Sequence, residues 1–406
     1  MRQGWEIKRL GDVVEFQRGL TYSKKDEVDY SDNMVLRSNN VDLQKNQLDF
    51  TELKYINSSI EIPYNKKVKK GSLIICTANG SKSHLGKVAL IDDNYNFAFG
   101  GFMGLITPKE KLNSNFLFHL LTSDNYKKFI SELSDGANIN NLKFSDLGRF
   151  EVPIPPLPEQ QRIVSILDEA FAAIAKAKAN AEQNLKNAKE LFESYLQRVF
   201  ENNNEEWKVK ALGDVCEISS KLIDPRKEEF KDLIHVGAGN IETKTGKLLD
   251  LLTANDEDLI SGKFLFDESM VLYSKIRPYL IKVVKCDFNG LCSADIYPLK
   301  PNTKVISKEY LYNLLLTRDF TAYAILGSQR AGMPKVNREH LFAYQFKLPS
   351  LNKQQSIVNK LDALRAQTQK LEAIYQKKLD SLEELKKSVL KKAFAGELEI
   401  EKRLSI

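Results

Sequence analysis

The chain resembles itself along most of its 406 residues, and this internal repeat limits it to folds that are built twice. GWEIKRLGDVVEF at 4–16 returns as EWKVKALGDVCEI at 206–218, an offset of 202 residues. Later, PPLPEQQRIVSILDEA at 155–170 returns as PSLNKQQSIVNKLDAL at 349–364, an offset of 194. The ordered repeats predict two halves that share one fold.

Between these anchors the halves diverge, and the smaller second offset places deletions in the variable stretch of the second half. Such divergence is typical of two surfaces that recognise different ligands. Ordinary drift after duplication produces the same pattern, so both interpretations stand at this point.

Each half begins with about 150 residues of mixed structure. Short apolar runs at 71–76 and 86–92 are bounded by Gly, Asn and Asp and predict strands, and 269–274 and 280–287 are their counterparts. A helical stretch is predicted near 114–133. The fold class that follows is α/β, in the sense of mixed α+β.

A long helix closes each half. After Pro158 no Gly or Pro occurs up to Phe200, and apolar residues recur at spacings of three and four; 352–394 repeats this pattern, with Gly396 as a C-terminal stop. The simplest partner for each apolar stripe is the other helix. We therefore expect an antiparallel coiled coil, about 60 Å long at 1.5 Å per residue, with a pseudo-two-fold repeat and with the helices as a ruler between two globular domains.

The pattern predicts four segments. They are a first globular domain (1–157), a first long helix (158–201), a second globular domain (202–350), and a second long helix with a C-terminal tail (351–406).

Charge and composition constrain the partners of these domains. The net charge of +6 favours a polyanion weakly, but 1–157 holds 21 basic and 19 acidic residues and 202–350 holds 21 and 20, so DNA binding would require charges sorted onto one face. Four Cys without a CxxC pair and four His predict reduced, buried thiols and no metal site. No apolar run is long enough for a membrane span or a signal peptide, so we expect a cytoplasmic protein.

The repeated motifs carry a family resemblance. Each half opens with W-x-[IV]-K-x-L-G-D and closes with a P-L-x-x-Q-x-x-I-V run that leads into a long helix, with Ser350 in place of the proline in the second half. In this the chain resembles the specificity (S) subunit of type I restriction-modification systems. The resemblance implies two target-recognition domains, each reading one half of a two-part double-stranded DNA target. It also implies two modification (M) subunits that bind S-adenosylmethionine and methylate adenine, and restriction (R) subunits that use ATP and Mg to translocate and cut DNA; this chain would bind no cofactor.

The sequence itself contains no catalytic motif that would contradict a non-catalytic subunit. An adenine methyltransferase needs Asp or Asn followed by Pro-Pro and an aromatic, and no such tetrad occurs; a GxxxxGK[ST] phosphate loop is also missing. VGAGN at 236–240 is interpreted as a plain turn, and each His stands without a nearby motif. The alternative is a stand-alone DNA-binding or scaffold protein without a methyltransferase partner. An autonomous restriction enzyme is disfavoured.

Loops rich in Arg, Asn, Gln and hydroxyl groups are the candidates for reading DNA, because these groups match base edges and phosphates. One loop in each half lies between two predicted strands, at 79–84 and, as its counterpart, at 274–279. They offer Asn79, Ser81, Lys82, Ser83 and His84 in the first half, and Lys275, Arg277 and Tyr279 in the second. A solvated hairpin tip is the plain alternative.

A second pair of loops precedes the closing strand of each half and resembles the DNA-facing segments of the family. It offers Asn138, Asn140, Asn141 and Lys143 in the first half, and Gln329, Arg330, Lys335, Asn337 and Arg338 in the second. Arg37, beside Asn39 and Asn40, is a third candidate. KKVKK at 66–70 is either a nonspecific phosphate contact or a solvated charge run.

Overall fold

The computed structural model describes residues 4–43, 45–135, 141–201, 206–218, 221–328 and 333–398. The chain divides into two compact units, which we call unit 1 (residues 1–181 with 377–406) and unit 2 (residues 182–376). The four-segment division at the residues given above stays a prediction.

Unit 1 contains a two-stranded ribbon, β1-β10, and two four-stranded sheets, β2-β9-β6-β7 and β3-β5-β4-β8. Its strands are β1 (Glu6–Arg9), β2 (Val14–Arg18), β3 (Glu27–Val28), β4 (Asn33–Leu36), β5 (Lys54–Ile56), β6 (Leu73–Cys76), β7 (Val88–Leu90), β8 (Ala98–Phe99), β9 (Met103–Pro108) and β10 (Glu151–Ile154). The helices that begin in unit 1 are α1 (Leu10–Val13), α2 (Ser114–Leu120), α3 (Asp124–Asp135), α4 (Phe144–Leu147) and α5 (Leu157–Phe200).

Unit 2 contains a ribbon, β11-β21, a four-stranded sheet, β12-β20-β17-β18, and a five-stranded sheet, β13-β16-β19-β14-β15. Its strands are β11 (Lys208–Ala211), β12 (Cys216–Glu217), β13 (Leu222–Ile223), β14 (Ile234–Val236), β15 (Leu252–Thr253), β16 (Lys263–Phe266), β17 (Val271–Ser274), β18 (Val283–Lys285), β19 (Gly290–Cys292), β20 (Ile296–Pro301) and β21 (Gln345–Leu348). The helices that begin in unit 2 are α6 (Leu212–Val215), α7 (Lys308–Leu314), α8 (Arg318–Leu326), α9 (Arg338–Phe342) and α10 (Leu351–Ala395).

The repeated opening segment has the same role in both units. Its first strand pairs antiparallel with the strand before the long helix, β1 with β10 and β11 with β21. The leucine that follows is fully buried, and its backbone N–H donates across the unit, from Leu10 to the Phe150 carbonyl and from Leu212 to the Tyr344 carbonyl, each at 2.8 Å. The repeated residues thus join the two ends of each globular part.

A buried glutamine in the repeated P-L-x-x-Q run forms a second shared feature. Gln160 accepts a hydrogen bond from the Asn113 N–H at 2.8 Å and donates to the carbonyls of Lys111 (3.0 Å) and Pro155 (2.9 Å). Gln354 accepts from the Ser307 N–H and donates to the Val305 and Pro349 carbonyls, each at 2.9 Å. Both side chains are fully buried, and each amide is satisfied by three main-chain groups, as buried polar groups in folded proteins usually are.

The segment VGAGN is a turn, as predicted. Asn240 holds it by accepting from the Gly237 N–H at 2.8 Å and donating to the Leu249 carbonyl at 3.0 Å. In unit 1, Asn40 accepts from the Arg37 N–H at 2.8 Å and donates to the Asp49 carbonyl at 2.9 Å. Asn40 and Asn240 therefore stabilise the same turn in both units, although only the turn of unit 2 contains glycine.

The long helices α5 and α10 have 44 and 45 residues, about 66 Å at 1.5 Å per residue. Within unit 1 they run antiparallel, because Lys178 contacts Glu383 at 2.6 Å while Phe171 lies under Lys386, whose Nζ is 5.3 Å from the ring centre. Within unit 2 the cation and the ring lie on the same helices as in unit 1, and Arg365 of α10 covers Phe192 of α5 at 4.7 Å. The predicted mixed α/β fold with two long helices is confirmed.

One predicted helix was wrong in its extent. The stretch near 114–133 forms two helices, α2 and α3, because the hydroxyl of Ser123 donates to the Leu120 carbonyl at 2.7 Å and the chain turns there. In unit 2, Thr317 donates to the Leu314 carbonyl at 2.7 Å and caps α8. A hydroxyl residue before a charged helical turn is an N-terminal signal that splits both stretches.

Gly396 ends α10, as the sequence predicts. Its φ is +74°, its N–H donates to the Ala393 carbonyl at 3.3 Å, and the Glu397 N–H donates to the Lys392 carbonyl at 2.9 Å. These two bonds form the Schellman motif, in which glycine adopts the left-handed backbone at no steric cost.

Candidate nucleic-acid interface

In unit 1 the two candidate loops lie side by side. The loop after β6 forms an isolated bridge from Ala78 to Asn141, and the Leu142 N–H donates to the Thr77 carbonyl at 2.7 Å. Asn141 and Lys143, the residue that precedes α4, are both exposed. Asn138 and Asn140 lie outside the described residues. The described parts of the two loops are therefore joined by main-chain contacts.

Unit 2 repeats this arrangement. Ile276 bridges to Lys335, the Val336 N–H donates to the Lys275 carbonyl at 2.9 Å, and the Arg277 N–H donates to the Pro334 carbonyl at 2.9 Å. Gln329 and Arg330 lie outside the described residues. Both units thus bring a loop after a central strand against the segment before the closing strand.

Strand register shows which residues correspond. Cys76 faces Met103 and Ser274 faces Ile296, so both end their strand at the same point. Counting from there, Asn79 corresponds to Arg277. The predicted correspondence of 79–84 with 274–279 is therefore shifted by three residues, because Ser274 is still part of β17. The loop of unit 2 is also shorter than that of unit 1.

The unit 1 loop is folded on itself. Asn79 accepts from the Ser81 N–H at 2.9 Å and donates to the Ser38 hydroxyl at 2.8 Å, while the hydroxyls of Ser81 and Ser83 are 2.8 Å apart. Ser81, Lys82 and Ser83 are exposed. The bond to Ser38 brings the third candidate, Arg37, next to this loop.

His84 is less available than its neighbours. Its Nδ1 lies 3.0 Å from Nζ of Lys87, and that ammonium also donates to the Val41 carbonyl at 2.8 Å. Burial, followed by the charge of Lys87, lowers the pKa of His84. A neutral imidazole at this place acts as a local hydrogen-bond partner.

Two of the unit 2 candidates project into solvent. Arg277 is exposed, and among the described residues its guanidinium has no hydrogen bond or ion pair. Its φ of +50° is rare for a side chain with a Cβ and holds the residue at the tip of the loop. Tyr279, two residues on, is 52% exposed.

The two lysines of this region are held by the protein. Lys275 donates to the Ala294 carbonyl and lies 4.9 Å from the Tyr297 ring centre, and Lys335 pairs with Asp295 at 3.6 Å. Burial, and then the nearby charge of Lys335, lowers the pKa of Lys275. Both lysines therefore have contacts within the protein that hold the loop pair.

The last two unit 2 candidates lie at the start of α9. Asn337 caps this helix by accepting from the His340 N–H at 2.7 Å, and Arg338 is its exposed first residue. Arg338 therefore faces solvent on the same segment that pairs with the Arg277 loop.

The basic run at 66–70 is engaged locally. Lys66 donates to the Arg18 carbonyl at 2.9 Å, Lys67 to the Asn96 amide oxygen at 2.8 Å, and Lys69 lies 5.2 Å from the Tyr64 ring centre. The run is not a free cationic strip.

The titratable groups outside the loops have structural partners. His119 is buried 3.0 Å from Asp168, and burial lowers its pKa although Asp168 opposes this. His235 lies 3.0 Å from Glu257.

All four Cys are free and buried, as predicted, and burial raises the pKa of the Cys76 thiol to about 11. In the described part of the chain, no three His, Cys, Asp or Glu side chains gather as a metal site, and no helix there is long and apolar enough to span a membrane.

Sequence reasoning missed a cavity of about 680 Å³ in unit 1, lined by Arg37, Asn79 and Phe102 together with Tyr22, Lys24 and Glu27. Phe102 is 73% exposed. The available signal was the run FGGFMG at 99–104, where an aromatic follows two glycines between strands.

Comparison with known proteins gives one consistent family. A family model, the type I restriction modification DNA specificity domain, matches residues 2–186 and 204–383. The specificity subunit of the type I restriction enzyme EcoDI from Escherichia coli is 30% identical over 363 residues, 80% of this chain and 78% of that protein. The StySPI specificity subunit from Salmonella potsdam is 26% identical over 427 residues, 98% of this chain and 89% of that protein.

Two solved structures share the fold. A chain described with the complex assembly and conformational transition of the type I R-M system has a TM-score of 0.79 at 19% identity, covering 98% of this chain and 99% of that one. The HsdS subunit from Thermoanaerobacter tengcongensis has a TM-score of 0.64 at 19% identity, covering 98% of each. Since the family model matches both halves and most of the length, this chain belongs to the family of type I restriction-modification DNA specificity subunits.

Proposed function

We propose that each unit reads one half of a two-part double-stranded DNA target and that the paired loops form the reading surface. The observation that carries this proposal is the repeated loop pair, in which Asn79 and Arg277 occupy equivalent positions. Asn and Arg pair with different bases in the major groove, adenine and guanine. One scaffold with different side chains at its reading position suits a protein with two different half-sites.

The chain supplies recognition and its partners supply chemistry. The sequence contains no adenine-methyltransferase tetrad and no phosphate loop. Two modification subunits would hold S-adenosylmethionine and methylate adenine, and restriction subunits would use ATP and Mg to translocate and cut. The long helices would dock the modification subunits, and the complex would act on DNA in the cytoplasm. The relatives named above are specificity subunits of such restriction enzymes, which supports this assignment.

Arg277→Ala tests the reading surface in unit 2. Because the guanidinium of Arg277 is exposed and unpaired among the described residues, its loss should leave the fold intact. Alanine has a Cβ like arginine, so the free-energy cost of the left-handed backbone at this position stays the same. We expect recognition of one half-site to relax at one base pair, by about 1–3 kcal/mol for a bidentate contact to guanine. The measurement is methylation-site mapping in cells that contain the complete enzyme.

Arg226→Ala is the matched control. Arg226 is an exposed arginine of the same unit that pairs with Asp224 at 2.8 Å and belongs to neither candidate loop. Arg226→Ala should leave the methylated DNA sequence unchanged. Equal loss of recognition in both half-sites for Arg277→Ala would contradict the proposal.

A further inference from the structure

Unit 1 has a cavity beside its proposed reading loop. Segments 20–24, 37–39, 78–80 and 100–103 surround it, so the cavity opens beside the proposed reading loop. The loop and the 37–39 segment are joined by the bond from Asn79 to Ser38. The cavity is therefore part of the surface that we propose faces DNA.

Arg37 brings an unused hydrogen-bond donor to this cavity. Its Nε is buried and has no partner among the described residues. The backbone at Arg37 is fixed, since its N–H donates to Asn40 at 2.8 Å and its carbonyl accepts from the Asn40 N–H at 3.0 Å. A buried donor without a partner is costly, so a change of side-chain rotamer that brings the guanidinium to an acceptor on a ligand would recover part of this cost.

Phe102 brings an aromatic face held on a rigid backbone. Its carbonyl accepts from the Thr77 N–H (2.9 Å), the Ala78 N–H (3.1 Å) and the Thr77 hydroxyl (2.9 Å), which ties it to the start of the reading loop. Its ring is nevertheless 73% exposed. A fixed backbone with an exposed ring suits contact with a base, because aromatic side chains stack on bases or insert between base steps.

Unit 2 has neither group. Strand register aligns Phe102 with Asp295, and Arg37 with Gly237. Asp295 is paired with Lys335 at 3.6 Å, and the neighbouring Ala294 carbonyl binds Lys275. At the positions that match Phe102 and its preceding residue, unit 2 therefore has polar contacts within the protein.

The other charges at the cavity favour a polyanionic ligand that carries a base. Glu27 lies at the wall, but it is paired with Lys54 at 2.7 Å. Lys24 also lines the cavity and is exposed. Arg37 and Lys24 therefore offer a guanidinium and an ammonium to one ligand, beside an aromatic face.

We propose that this cavity reads a guanine of the first half-site, with Arg37 bonded to the guanine edge and Phe102 against the face of a base. The inference rests on the proposed function, since it assumes that unit 1 faces DNA. Arginine is the side chain that most often reads guanine, through its O6 and N7 acceptors. A phosphate offers acceptors as well, so the experiment must separate a base contact from a phosphate contact.

The test uses the complete enzyme and duplexes that carry the mapped target, with each base pair of each half-site replaced in turn. Arg37→Gln should lose discrimination about 5- to 150-fold at one guanine of one half-site, which corresponds to about 1–3 kcal/mol. Phe102→Ala should lower affinity about 5- to 150-fold, and Phe102→Tyr should restore it. The matched control is Tyr64→Ala, an aromatic of unit 1 that is 77% exposed and does not line the cavity; it should change affinity less than about twofold.

Three results would overturn the inference. In the first, Arg37→Gln weakens binding of all duplexes equally and reduces the salt dependence of DNA affinity by about one phosphate contact. In the second, Arg37→Gln has no effect on binding. In the third, Phe102→Ala changes affinity no more than Tyr64→Ala. If the Arg37 and Phe102 variants give one of these results while Arg277→Ala still relaxes recognition of the other half-site, only the assignment of the cavity to a guanine is wrong. If Arg277→Ala also leaves both half-sites unchanged, the proposed function falls with it.

Discussion

Gln354→Leu should destabilise unit 2 by about 3 to 5 kcal/mol, because it leaves three main-chain groups without partners, one from a buried and two from part-buried hydrogen bonds, and a buried group without a partner costs about 1–3 kcal/mol. Those groups are the Ser307 N–H and the carbonyls of Val305 and Pro349. Leucine has nearly the same size as glutamine but can neither donate nor accept a hydrogen bond. Gln160→Leu should have the same effect in unit 1.

Hydrogen exchange of each unit's peptides measures this better than a single melting curve, because a chain with two units need not unfold in one step. We expect peptides around 305–314 to exchange at least about 100-fold faster in Gln354→Leu, and peptides around 111–120 to do so in Gln160→Leu. The matched control is Gln355→Leu. Gln355 is exposed, and among the described residues its side chain bonds only to Asn359 on the same helix, so its loss should cost less than about 0.5 kcal/mol. Equal protection in Gln354→Leu and Gln355→Leu would show that the buried amide has no structural role.

Adding four residues to α5 between Ala177 and Ala181 should lengthen the spacer of the DNA target by one or two base pairs and leave both half-sites unchanged. We propose that the length of this helix sets the spacer. Four residues add about 6 Å of helix, and B-DNA advances about 34–36 Å per turn of 10–10.5 base pairs. Four residues also rotate the helix by about 400°, close to a whole turn, so buried positions such as Ile174 and Ala181 keep nearly the same direction.

Adding one residue at the same place should abolish methylation, because it turns the rest of the apolar stripe by about 100°. Methylation-site mapping measures both variants. A four-residue insertion at the exposed turn 57–59 of unit 1 is the control and should leave the spacer as it is. An unaltered spacer after the helix insertion, or new half-site sequences, would show that α5 does not determine the spacing.

The parts of the fold that were predictable depend on short-range signals. The stripe in α5, the stop at Gly396 and the repeated W-x-[IV]-K-x-L-G-D segment are all visible in consecutive residues. The break at Ser123 also has a local signal, the capping hydroxyl, but the apolar pattern around it indicated one helical stretch.

The parts that were not predictable depend on strands distant in sequence. The cavity joins four segments of unit 1 that only the sheets bring together, so no local pattern links Arg37 to Phe102. The engagement of Lys275 by Ala294 and Tyr297 is likewise a tertiary contact. The candidate DNA contacts themselves stay predictions, because the same loop chemistry serves base, phosphate and solvent alike.

The most direct test of the account is genome-wide mapping of methylated adenine in cells that contain the complete enzyme, with and without the gene for this chain. The account predicts a methylated motif of two defined parts separated by a spacer of fixed length and undefined sequence, and its loss when this chain is removed. A motif that persists without this chain, or one uninterrupted motif that depends on it, would contradict the claim that each unit reads one half of a two-part target.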